Sequence, residues 1–100
     1  MPSAVQGVSS RRSSPQVAFG ARVRELRTAR EWTQEDLADR CGLFRTYMSR
    51  IETGAANPTL TMIHALAESL GVPVTALFET GPVALAPVRA RRGGSRGKSR

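Results

Sequence analysis

QEDLADRCGLFRTYMSRIET, residues Gln34 to Thr53, reads as two short helices joined by a tight turn, because apolar residues recur at helical spacing on both sides of Gly42. Glycine accepts turn geometry that other residues resist. Ala38 stands four positions before Gly42, where a small side chain lets two crossed helices approach closely. On the second helix, Met48 and Ile51 fall on one side of a wheel at about 100° per residue, and Arg45, Thr46, Ser49, Arg50 and Thr53 fall on the other. One face is made for a core. The other carries donors that reach base edges, the division of labour needed by a helix lying in a major groove.

Working outward, Trp32 to Leu37 has the parts of a helix start. Thr33 is placed to cap the first turn, Asp36 occupies the capping-box position, Trp32 can staple onto Leu37, and Glu35 and Asp36 suit the positive end of the helix dipole. Upstream, Phe19, Val23, Leu26 and Arg30 recur at spacings of four, three and four, which predicts a first helix running to about Glu31. Downstream, Gly54 is a helix stop and Gly54 to Pro58 a turning loop. Thr59 caps a fourth helix whose stripe is Leu60, Ile63, Leu66, Ala67 and Leu70 and whose end is Gly71. Val72 to Phe78 then reads as a short fifth helix with Pro73 in its first turn.

The sequence thus predicts an all-α, compact five-helix domain over residues 16–80, with a flexible Ser-, Gly- and Pro-rich arm over 1–15 and a basic disordered tail over 81–100. One hundred residues allow a single small core. No apolar run approaches the roughly 20 residues of a membrane span, and the start lacks the apolar run of a secretory signal, so the expectation is a cytoplasmic chain with no membrane partner. The lone Cys41 and lone His64 make no disulfide and no metal-ligand set, so no cofactor is expected; Cys41 reads as a small buried residue. Ser49 has no base in the sequence to activate it, so no catalytic constellation emerges.

The net charge of +7 is unevenly spread. Between Gln16 and Thr80 seven arginines face eight acids, a net of −1; the excess lies in Arg11 and Arg12 and in Arg89, Arg91, Arg92, Arg96, Lys98 and Arg100. A near-neutral core must bind DNA by the placement of its arginines, while the tails add sequence-independent attraction to phosphates.

These residues carry a family resemblance. Gln34, Ala38, Gly42, Met48 and Ile51 match the helix-turn-helix spacing of the Cro and phage-repressor-like (XRE) family of bacterial regulators, and the likeness extends from Phe19 through RVRELR, WTQEDLA, RIETG and NPTL to LAESLGVPVTALF. LFRTYMSRIE is also similar to the controller proteins of restriction-modification systems. The resemblance implies a transcriptional regulator binding double-stranded DNA near the nucleoid. It implies that Gln34 meets a DNA phosphate, and that Arg27 and Glu52 pair across the first and third helices. The wheel agrees on the last point, since Glu52 lies at the edge of the apolar face and Arg27 beside its own stripe.

For base contacts the candidates are Arg45, Thr46 and Arg50; an arginine bonded twice to guanine is worth about 1–3 kcal/mol of discrimination. Ser49 and Thr53 suit backbone phosphates. Tyr47, on the border of the wheel faces, has packing, stacking on a deformed base step, and phosphate bonding open to it. Phe44 departs from the family, whose members carry Ser, Thr or a similar cap there. Losing a cap costs about 1 kcal/mol, and two roles stand open for Phe44: packing on the turn, or touching sugars and thymine methyls. A homodimer is expected through Leu77 and Phe78, with His64 or Val74 beside them, because so late in a small domain little core remains to fill. The alternatives are an antitoxin that holds a protein partner through a tail, and a nonspecific nucleic-acid binder driven by the tails.

Overall fold

The computed structural model describes residues 14–82, 85 and 87. The flexible arm expected over residues 1–13 and the basic tail expected over 88–100 lie outside them. Four α-helices follow in order: α1 Pro15–Ala29, α2 Gln34–Cys41, α3 Arg45–Thr53 and α4 Leu60–Leu70. Among the described residues there are four and not five, because Val74–Phe78 winds as a 3-10 turn. Its bonds run from Ala76 N–H to the Pro73 carbonyl at 2.9 Å and from Glu79 N–H to the Ala76 carbonyl at 3.4 Å. Pro73 is its cap rather than part of its first turn, and Glu79 is already extended, so five residues are too few to close an α-helical ladder.

Three of the four helix starts among the described residues follow one chemistry. Ser14, Thr33 and Thr59 each accept a backbone N–H through the side-chain oxygen, and at α2 Asp36 returns the bond to complete a capping box. Helix α1 therefore begins with Ser14 and Pro15 inside the fold, just ahead of the expected boundary. It ends at Ala29, before Glu31 at φ 64°. Between α2 and α3, Gly42 sits at φ 74°, and Leu43 N–H closes the turn on the Ala38 carbonyl at 2.8 Å.

Packed against one another, α1 and α3, α2 and α3, and α2 and α4 enclose the core, and the 3-10 turn closes it against α1 and α4. Val23, Leu37, Met48, Ile51, Leu66, Leu70 and Leu77 are the large side chains sealed within; burying each contributes about 1.5–3 kcal/mol. Leu60, expected on the core stripe of α4, is exposed at its first position. Leu85, within the stretch expected to be a disordered tail, instead packs on the core.

Two features that the sequence does not announce help to hold the layers together. Gly20 lies where α1 crosses α3 so closely that a β-carbon would run into the carbonyl oxygen of Ile51 and stand 2.7 Å from that of Glu52. Arg22 is only 5% exposed. Its Nε donates to the Ala76 carbonyl at 2.8 Å, and its Nη1 to the Gly81 carbonyl at 2.7 Å and to Glu25 Oε1 at 2.9 Å, clasping the end of the domain to its first helix. At the other end of α1, Arg30 Nε donates to the Leu70 carbonyl at 3.0 Å, on the last turn of α4. Trp32 lies half-buried against the core with the Arg40 guanidinium 4.1 Å over its ring centre.

Candidate nucleic-acid interface

Helix α3 is fixed from behind. Met48, Ile51 and Glu52 are its buried residues. The Glu52 carboxylate takes Arg27 Nε at 2.7 Å on one oxygen and Arg27 Nη2 at 3.0 Å on the other, a two-point grip between α1 and α3. Arg27 spends a further donor, Nη1, on the Trp32 carbonyl at 2.6 Å. Gln34 donates its side-chain amide to Glu52 Oε1 at 3.0 Å. Three elements thus converge on one buried carboxylate, and the pair is worth most as a device for register, since its desolvation cancels much of its Coulombic gain.

The front of α3 is different. Phe44, Arg45, Thr46, Arg50 and Thr53 are exposed, and Tyr47 and Ser49 half-buried. Arg45 and Thr46 make no side-chain bond among the described residues, so the donors of the first turn are unspent. Arg50 is lightly tethered, Nη2 to the Ala55 carbonyl at 3.2 Å. Thr53 turns its hydroxyl back onto its own helix, to the carbonyls of Ser49 at 3.1 Å and Arg50 at 3.3 Å, which uses the proton that a phosphate contact requires. Tyr47 packs its ring against the core edge. Phe44, at 86% exposure, packs on nothing comparable, which removes the first of its two roles.

The surface expected to pair two copies divides sharply. Leu77 is wholly buried in its own chain and is not part of any exposed interface, because the core had room for it. Phe78 is 65% exposed and tilted at 38° against the buried Phe19 with ring centres 5.4 Å apart, Val74 is half-buried and His64 exposed. Cys41 is half-buried rather than buried. Burial pushes its thiol above the ordinary value, partly offset by its hydrogen bond with Ser69 Oγ at 3.4 Å. Among the described residues no three His, Cys, Asp or Glu side chains gather as metal ligands, and no helix is long and apolar enough to cross a membrane.

Comparison with known proteins places this geometry. A helix-turn-helix domain family matches residues 18–79. The immunity repressor of Bacillus phage phi105 is 38% identical over 61 residues, 61% of this chain and 42% of the repressor, so the chain spans less than half of that relative. The restriction-modification controller protein C.AhdI of Aeromonas hydrophila superposes with a TM-score of 0.62 at 44% identity, covering 63% of this chain and 96% of the controller. The controller protein C.Esp1396I, solved as a tetramer on its natural 35-base-pair operator, superposes with a TM-score of 0.61 at 30% identity over 66% of this chain and 87% of its own.

Proposed function

This chain belongs to the helix-turn-helix family of Cro- and phage-repressor-like regulators, and from that premise we propose that it is a sequence-specific transcriptional regulator that binds a near-palindromic operator as a homodimer, in the manner of restriction-modification controller proteins. The observation that carries the reading is the contrast across α3: Arg45 and Thr46 stand exposed and unbonded on the first turn of a helix whose back is locked by Arg27 and Glu52. Arginine on such a turn can bond O6 and N7 of guanine together, and threonine offers a hydroxyl to a base and a methyl to thymine. Holding these groups still is what turns attraction into readout.

Around this centre the other contacts take their places. Arg50 keeps most of its guanidinium for a base or a phosphate one turn further along. Ser49 and the Tyr47 hydroxyl bond the backbone. Gln34 has one amide proton committed to Glu52 and a second for a phosphate. Phe78, together with Val74 and His64, pairs two copies, which sets two α3 helices about 34 Å apart, one turn of DNA. Selection of bound sites from random DNA is the test. It is expected to return an inverted repeat with half-sites about one helical turn apart. Recovery of no shared sequence would overturn the reading. Sedimentation equilibrium of Phe78→Ala checks the dimer, which should shift toward monomer.

A further inference from the structure

Three of the four α-helices among the described residues begin with a hydroxyl that accepts a backbone N–H: Ser14, Thr33 and Thr59. Helix α3 does not. Phe44 occupies its cap with the usual extended backbone, φ −77° and ψ 148°, and its carbonyl takes the N–H groups of Tyr47 and Met48 at 3.1 Å, so the helix starts normally without help from a side chain. The ring that replaces the cap is 86% exposed, the most of any large apolar side chain among the described residues. Leu43 beside it is turned toward the core, whereas Gly42, Arg45 and Thr46 are exposed and offer no apolar area that a protein partner would bury along with the ring.

We propose that Phe44 is a specificity-determining residue that seats its ring on the 5-methyl group of a thymine in each half-site. The inference rests on the DNA-reading role given to α3 and adds to it a base that the arginines do not read. A phenyl ring has no donor or acceptor, and the thymine methyl is the apolar feature that base edges present in the major groove. Phe44 precedes Arg45 at the end of the helix that lies deepest in a groove in this motif. The cap is given up at the one helix start where an exposed ring has an apolar group on DNA to cover.

The test uses the operator recovered by selection, with each thymine replaced in turn by deoxyuridine, which removes the methyl and leaves the hydrogen-bonding pattern intact. Binding is read by fluorescence anisotropy for the wild-type chain, Phe44→Ser and Phe44→Leu. Serine is the capping residue that α1 uses, so that variant keeps its fold, as circular dichroism should confirm. The wild type is expected to lose about fourfold in affinity at one thymine per half-site, the worth of one buried methyl. Phe44→Ser should bind the two DNAs equally, and Phe44→Leu should fall between. Indifference of the wild type to every deoxyuridine overturns the proposal while leaving the regulator reading intact. Unchanged methyl sensitivity in Phe44→Ser assigns the contact to another residue and overturns it too. So does a Phe44→Ser chain that binds DNA as before but no longer self-associates, since the ring would then be a protein contact. If selection yields no shared sequence, both the reading and this inference fall.

Discussion

The back of α3 and its front are built on opposite principles. Behind, the Glu52 carboxylate is held by Arg27 and Gln34, and Gly20 lets α1 come within backbone distance. In front, the side chains of Phe44, Arg45 and Thr46 make no hydrogen bond among the described residues. A helix held on one side and bare on the other has its orientation decided before any ligand arrives, so little ordering entropy remains to be lost by its backbone on binding. The lesson is that substitutions behind should be felt in stability, and substitutions in front in binding.

Glu52→Gln is the most severe way to break that contrast. It removes the charge partner of a buried guanidinium and turns an amide N–H₂ toward Arg27 or Gln34, so unfolding free energy is expected to fall by about 3–5 kcal/mol; an unchanged urea midpoint would mean the pair contributes nothing. Next comes Gly20→Ala. Its new β-carbon meets backbone rather than a movable side chain, so α1 and α3 must separate, at a cost of about 3 kcal/mol, the upper part of what overpacking usually costs. Thermal unfolding should show it, and the separated helices should also lose operator binding. The front answers differently. Arg45→Ala is expected to leave the melting curve in place and to lower operator affinity by about 1–3 kcal/mol, with little change on random-sequence DNA; equal losses on both DNAs would make Arg45 a backbone contact. The smallest effect sharpens the comparison by reversing it, because Phe44→Ser should raise stability by about 1 kcal/mol through the restored cap. A fall instead would show that the ring supports the fold.

What could be read in the sequence was whatever local chemistry controls. Thr33 with Asp36, Thr59, Gly42 and Gly71 mark helix ends by bonds that reach only a few residues, and the Val23, Leu26, Met48 and Ile51 periodicity marks the buried faces. Long-range geometry was not legible. An arginine reads as a surface residue, and nothing near Arg22 in sequence announces that carbonyls 54 and 59 residues away will take its guanidinium into the interior. Gly20 reads as a weak helix former until α3 lies across it. By position alone Leu77 belongs at a surface, since so late in a small domain little core remains, and a stripe on a wheel does not reveal the volume that crossed helices leave between them. For the interface, the wheel put Arg45 and Thr46 outside, but could not tell that Thr53 would turn its hydroxyl inward.

The clasp of Arg22 also bears on how the protein comes off the ribosome. Helix α1 is made early, yet the carbonyls that accept its buried guanidinium belong to Ala76 and Gly81, nearly at the far end of the domain. The pair of helices that would meet DNA is therefore synthesised whole before the fold around it can shut, and the loop to be closed is almost the entire domain. A nascent chain halted with Gly71 as its last emerged residue should be open to protease, and one halted with Leu85 well clear of the exit tunnel should resist it. In the living order of events, the domain closes on its last residues.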